Sequence, residues 1–265
     1  AMVFYYLQDE PDSTTEITLE FFEKDGDLIR SFSSRAEEES DKLELKQGLN
    51  RFVWNMRYPD AKKFDGMILW WASLSGPEAV PGDYKVKLTA GSYSEEQEFK
   101  ILKDPRSEAT LEDMQAQFDF LMAISEKMTE THEAIIMLRD ARDQINSLKG
   151  RLSDDQEDIK EKADEILESM KEVEETLYQT KNRSNQDPLN YPIRLNNKLG
   201  HLTSLTALGY YGPTTQAKAF GKEVTAEIDT ELDRLQTIFD QEIPALNEMV
   251  RKSRVDAIML NSGPE

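Results

Sequence analysis

The chain has no cysteine. Disulfide bridges and thiolate metal sites are thereby excluded. Histidine is almost as scarce, with only His132 and His201. A zinc site built from several imidazoles lacks ligands, and a Ser-His-Asp relay would have to use one of these two residues. Neither has a nucleophile elbow nearby, and both read as surface or bundle-edge side chains. Basic residues are outnumbered, with 32 Lys and Arg against 52 Asp and Glu and a formal net charge of −20. Nucleic acid requires a basic footprint to neutralise phosphates, and anionic lipid requires a basic patch, so neither is an expected partner. The charge is read instead as a solubility device. No apolar run of about 18 residues occurs, so no membrane insertion is expected. No signal peptide is recognised, because Ala1-Met2 leads straight into the strand-like Val3-Phe4-Tyr5-Tyr6-Leu7; this reads as a trimmed start.

Motifs of chemistry are missing too. There is no glycine-rich phosphate loop, no HExxH and no DxDxDG calcium loop. Acid pairs are too abundant to single any out for glycoside hydrolysis, which needs two converging carboxylates, one with a raised pKa. The expectation is no catalytic residue, no cofactor and no metal in this chain.

What is present falls into two parts. Residues 1–104 read as short antiparallel strands. Ile17, Leu19 and Phe21 alternate with Thr18 and Glu20, the period of a half-buried strand. Lys24-Asp25-Gly26-Asp27 is a hairpin turn back into a strand from Leu28 to Phe32. Phe52 and Trp54 share a face, as do Tyr84, Val86 and Leu88, and Ala90-Gly91-Ser92 turns into a last strand. Strands at this spacing predict an antiparallel immunoglobulin- or fibronectin type III-like β-sandwich. The stretch from Phe64 to Pro81 fits no strand. Its Trp70-Trp71 pair either packs against neighbouring structure or offers a platform for a sugar or a partner.

Residues 105–265 read as helices. Ser107 or Thr110 caps the first, whose stripe of Leu111, Met114, Phe118, Leu121, Met128 and Ile135 runs on to Gly150. Ser153 is the expected cap of the second, with Asp154 and Asp155 at its positive end and a heptad stripe from Ile159 to Leu177. After Pro188-Leu189-Asn190-Tyr191-Pro192 comes a shorter helix, Ile193 to Leu208, and then a long one starting at Thr214 or Thr215 and kinked by Pro244. The tail from Asn261 to Glu265 reads as loose. Three long helices and one shorter one, joined by short connections, predict an up-down bundle; the fold class is α+β in two domains. The same stripes are compatible with an intermolecular seam, and so with a dimer. Asn190, Tyr191, Arg194, Asn196, Asn197 and Lys198 form a polar segment that either ties the short helix to the bundle or meets a ligand. Trp70, Trp71, Tyr191, Arg194 and Asn197 are therefore the candidate ligand or partner surface.

Several segments together carry a resemblance. They are Gly48-Leu49-Asn50-Arg51-Phe52-Val53-Trp54-Asn55-Met56-Arg57-Tyr58-Pro59, Gly66-Met67-Ile68-Leu69-Trp70 with Gly76-Pro77 and Pro81-Gly82-Asp83-Tyr84, Lys103-Asp104-Pro105-Arg106, and Leu189-Asn190-Tyr191-Pro192-Ile193-Arg194-Leu195-Asn196-Asn197-Lys198-Leu199. This resembles the C-terminal region of bacterial proteins with a sortilin-like β-propeller, often labelled BNR-repeat glycosyl hydrolases. Asn55 departs from the Asp that the resemblance leads one to expect, with effect only on a turn. The resemblance implies export to the periplasm or cell surface. It also implies a non-catalytic accessory role: packing on, or docking, the upstream propeller of the same polypeptide or another protein. The alternatives are a carbohydrate-binding module, with a glycan as ligand, and a glycoside hydrolase using acids that the sequence does not distinguish.

Overall fold

The computed structural model describes residues 1–9, 14–153 and 155–253. Asp154 and the tail from Asn261 to Glu265 lie outside these. The chain is α+β, an antiparallel sheet region followed by long helices. It forms two compact units that interleave along the sequence. The first comprises Ala1–Asp60, Ser75–Ala123 and Thr206–Pro213; the second comprises Ala61–Leu74, Ile124–Leu205 and Thr214–Glu265.

In the first unit, β1 (Met2–Leu7) pairs with β4 (Gly48–Val53) in a two-stranded sheet. β2 (Ile17–Glu23), β3 (Leu28–Ser33), β5 (Gly82–Ala90) and β6 (Tyr93–Ile101) form a four-stranded sheet in the order β3-β2-β5-β6. All pairings are antiparallel. The hairpin turns sit where glycine supplies positive φ, Gly26 at 101° and Gly91 at 58°. The alternating inward side chains of both sheets share one core. Its centre is aromatic: Phe21 stacks on Trp54 at 4.5 Å, and Phe52 meets Phe32 at 4.5 Å. The Trp54 indole N–H donates to the Arg57 carbonyl at 3.2 Å, so the buried ring leaves no polar atom unmatched. Asn55 accepts from the Arg57 N–H at 3.1 Å, the turn role expected of it. Gly76 is required by close approach: a Cβ there would lie 2.1 Å from the Tyr58 carbonyl oxygen.

Helix α1 (Leu111–Lys149) contributes its first turns to this unit and the remainder to the second. Its start is a reciprocal capping box: Thr110 Oγ1 accepts from the Asp113 N–H, and the Asp113 carboxylate accepts from the Thr110 N–H, both at 3.0 Å. Leu111, expected in the apolar stripe, is exposed because it precedes the first turn that packs.

The second unit contains the rest of α1 with α2 (Glu157–Leu177), α3 (Leu195–Thr206), α4 (Thr215–Thr237) and α5 (Ile243–Lys252). The predicted α2 stripe is entirely buried, from Ile159 to Leu177. It packs along α4 and α5. Ion pairs join the helices at their rims, as Lys127 to Asp229 at 2.6 Å and Arg234 to Glu172 at 3.0 Å. Thr214 caps α4, accepting from the Ala217 N–H at 3.1 Å. Ser153 does not cap α2; the cap position is Gln156, and Ser153 instead bonds the side chains of Asp155 and Gln156. The break expected at Pro244 is a π-helical turn, Ile238–Glu242, immediately before it. The widened turn absorbs the carbonyls that proline cannot bond and lets α5 begin with Pro244 in its first turn.

Candidate functional site

Within the second unit, Ala61–Leu74 lies against the helices and is held at nearly every turn. His132, read from sequence as a surface or bundle-edge residue, is fully buried. Its Nδ1 lies 2.5 Å from the Lys62 carbonyl and its Nε2 lies 3.2 Å from the Asn196 amide nitrogen. This arrangement fits the neutral ring with its proton on Nδ1, donated to Lys62. Burial pulls the His132 pKa below its ordinary value, while the Lys62 bond opposes this. Phe64 is boxed by the edges of His132 at 5.5 Å and Tyr178 at 5.0 Å, and the Arg139 guanidinium covers its face at 4.4 Å. Arg139 and Arg142 both bind the buried Glu174 carboxylate, at 2.7 and 2.5 Å. Both carboxylate oxygens are occupied, so this is a saturated ion pair rather than a reactive acid. The Tyr178 hydroxyl accepts from the Ile68 N–H at 3.0 Å.

The same loop carries the tryptophan pair. Asn197, buried on α3, accepts from the Trp70 N–H at 2.6 Å and donates to the Trp70 carbonyl at 2.8 Å. The Ser73 N–H donates to the Gly200 carbonyl at 3.0 Å. Gly200 allows this approach, since a Cβ there would meet Ala72 and Met128 at 3.0 Å. Between the two anchors Trp71 is 74% exposed and adopts φ +50°, the left-handed region that bulky side chains avoid. Trp70 is half-buried, its ring 6.4 Å from that of Trp71. The structure therefore brings Trp70, Trp71 and Asn197 together. No hydrogen bond or ring contact among the described residues joins Tyr191 or Arg194 to them. Tyr191 is half-exposed, with Lys181 6.0 Å from its ring. Arg194 Nε is buried without a protein partner, as are Asn182 Oδ1 and Asn196 Oδ1.

The sequence reading missed His132, Arg139, Arg142 and Glu174. The signal was present: Met128, His132, Ile135, Arg139, Arg142 and Ile145 succeed each other at spacings of three and four along one stripe of α1.

In the first unit, a cavity of about 250 Å³ is lined mainly by apolar side chains, among them Met56, Ile101, Met114 and Leu121. Its two carboxylates are committed to arginines, Glu78 to Arg57 and Asp104 to Arg106, both at 2.7 Å. The Arg106 bonds hold Asp104 down at about 2, so it offers no proton at neutral pH. The outward face of the two-stranded sheet is apolar: Met2, Phe4, Tyr6, Leu49 and Val53 are all more than half exposed. The register sets Met2 opposite Val53, Phe4 opposite Arg51 and Tyr6 opposite Leu49, so the apolar row runs unbroken along β1 and is interrupted on β4 by the exposed Arg51.

These features define a protein of two units, an antiparallel β-sheet unit and a helix bundle, without cysteine and, among the described residues, without a group of side chains able to hold a metal. No helix among the described residues is long and apolar enough to cross a membrane. No protein-family model, no curated protein and no solved structure matches the chain. The resemblance to the C-terminal region of sortilin-like propeller proteins is thus overturned. No family model carries it, and the described residues build sheets of two and four strands with helices rather than propeller blades. The segments behind the resemblance have local structural duties in this chain. Trp54 fills the core, Gly76 permits a close crossing and Asn197 holds a loop. The expectation of export had rested on that resemblance alone.

Proposed function

We propose that the chain is a non-catalytic interaction module that docks a partner protein through its sheet unit. The observation that carries this is the apolar outward face of β1 and β4. An antiparallel sheet with one face on a core ordinarily turns polar residues to water on the other. Here Met2, Phe4, Tyr6, Leu49 and Val53 face outward with exposures of 55–70%. Contiguous exposed apolar surface of this kind marks a protein contact. In support, the carboxylates of the cavity lined by Met56 and Ile101 are paired, and Glu174 is saturated by two arginines.

The test replaces Phe4 by a photo-crosslinking residue in the native host and identifies the captured protein. Binding of that purified protein is then measured against Phe4→Ser/Leu49→Ser. The expected result is a loss of about tenfold or more in affinity. Unchanged affinity, or turnover of glycoside substrates by the chain alone, defeats the proposal.

A second reading is favoured by one feature, the rigid display of Trp71. A bulky residue held at positive φ by bonds on both sides, yet exposed, fits a ligand platform, and an aromatic face suits a sugar ring. Glycan-array binding lost in Trp71→Ala would support it; an array with no binder would remove it.

A further inference from the structure

We infer that the sheet unit binds an extended segment of its partner by strand addition along the free edge of β1. This rests on the interaction reading above and names the partner's chemistry.

β1 has a sheet neighbour on one side only, β4, among the described residues. On its other side, alternate backbone N–H and C=O groups point outward and can template another strand. Exposed edges are ordinarily guarded by charge, proline or a bulge. The β1 sequence Met2-Val3-Phe4-Tyr5-Tyr6-Leu7 has no charge and no proline, and its register with β4 runs without a shift.

The two sheets are unequal in width, two strands over four. Phe52 of β4 lies on Phe32 and Phe21, at 4.5 and 6.1 Å, so β4 covers β3 and β2. β1 comes next, and its free edge borders a groove of about 390 Å³ whose floor is Leu19, Val86 and Leu88. Among the described residues, aromatic contacts cover the inner face of β5 and β6 at the end where Trp54 lies 6.3 Å from both Tyr84 and Phe99. Beyond it the register sets Val86 opposite Gln97 and Leu88 opposite Glu95. Val86 and Leu88 are only half-buried, and Glu95 and Gln97 are exposed although they share the inner face. Strands lie about 4.8 Å apart within a sheet and sheets about 10 Å apart. A strand added to β1 would therefore cover these pairs.

The lining specifies the occupant. Its inward residues would meet Val86 and Leu88, which calls for apolar side chains. One inward position would meet Glu95, whose carboxylate accepts from the Tyr93 hydroxyl and, at 3.4 Å, from the Gln97 amide; both donors are neutral, so a Lys or Arg there would balance the charge, whereas an apolar strand would only strip water from it. Its outward residues would continue the Met2, Phe4 and Tyr6 surface. The net charge of −20 adds long-range attraction for a basic segment and repels a second copy of the chain. The occupant is an extended, alternately apolar partner segment with a basic residue at the Glu95 position.

The test uses the full chain and three peptides of about eight residues. The first alternates threonine and valine with one central valine replaced by lysine. The second carries glutamate in place of that lysine, and the third a central proline. Amide hydrogen exchange of β1 and affinity are read for each. The lysine peptide is expected to slow exchange at alternate β1 amides and to bind about tenfold tighter than either control, and Glu95→Lys is expected to reverse the preference between the lysine and glutamate peptides. Absence of β1 protection with every peptide overturns the proposal, as does binding indifferent to both the proline and Glu95→Lys. Protection of β1 that grows with protein concentration alone would assign the edge to self-association and equally overturn it. If Phe4→Ser/Leu49→Ser abolishes binding of the crosslinked partner while β1 exchange stays unaltered by that partner, strand addition fails and the interaction module stands. If the partner's affinity is indifferent to both changes, the module reading fails as well.

Discussion

The two units bury their chains by different chemistry. The sheet unit is centred on rings, with Phe21 stacked on Trp54 and Phe32, Phe52, Tyr84 and Phe99 within reach of that pair. The bundle is centred on aliphatic side chains, Ile159, Ile166, Met170, Leu177, Leu199 and Ile228, into which His132, Glu174 and Asn196 are inlaid. A thin two-over-four sandwich has few inward positions, so each must carry a large side chain. Helices of 39, 21 and 23 residues offer many small positions and can spare a few for polar groups that hold a loop in place. The surfaces differ in the opposite sense. Around α2 the outward positions are mostly charged, whereas β1 shows apolar residues to water. The difference teaches that core and surface are separate commitments: the sheet unit, with its aromatic core, lines up apolar side chains along the exposed face of one strand, whereas α2 keeps its apolar residues inside.

The sharpest break should come at Trp54. Trp54→Ala removes the side chain on which Phe21, Tyr84 and Phe99 converge and is expected to cost about 3–5 kcal/mol. Hydrogen exchange should locate the loss in β2 and β5; equal loss in α2 would deny that the two cores are distinct. Next is Glu174→Ala, which leaves Arg139 and Arg142 facing a buried gap, with an expected cost of about 3 kcal/mol seen first in α1 and α2. A loss under about 0.5 kcal/mol by denaturant titration would reduce the pair to an ordinary surface bridge.

The bundle should also respond to mild acid through His132. Its folded pKa lies below the ordinary value. The unfolded chain thus takes up a proton near pH 6.5 while the folded one resists it until lower pH. The stability that this residue supports is complete above about pH 6.5 and is lost as pH falls from there through the folded pKa. The residues bonded to or stacked on the ring, Lys62, Asn196 and Phe64, include no carboxylate to offset the charge. A smaller drop in denaturation midpoint between about pH 7.5 and 5.5 in His132→Gln than in the parent checks this; identical profiles would contradict it. The smallest effect is expected at Trp71. Trp71→Gly relieves the positive φ at little loss of burial, so the midpoint should hold or rise by about 1 kcal/mol equivalent. A clear fall would mean that the exposed ring contributes packing.

Much of this was legible from the residues. Ile17, Leu19 and Phe21, and the stripe from Ile159 to Leu177, are periodic, and periodicity reports directly which side of an element is buried. Gly26, Gly91, Thr110 and Thr214 act locally, so their turns and caps could also be read. His132 and Glu174 were not legible as buried groups. A polar side chain within a stripe is ambiguous until its partners are known, and those partners lie 32 to 70 residues away in sequence. The candidate surface shows the same limit. Trp70 and Trp71 were visible as aromatics, but which of them faces water depended on Asn197, 127 residues from Trp70.

By itself the sequence determined the α+β class, the strand and helix phases, the turns and the absence of thiol chemistry, because each depends on residue type or on neighbours a few positions apart. Only the tertiary structure decided that Ala61–Leu74 belongs with the helices, that Trp71 is presented while Trp70 is held, and that β1 has β4 as its one sheet neighbour among the described residues. Each of those depends on which distant strand or helix arrives alongside, and local propensity carries no record of it.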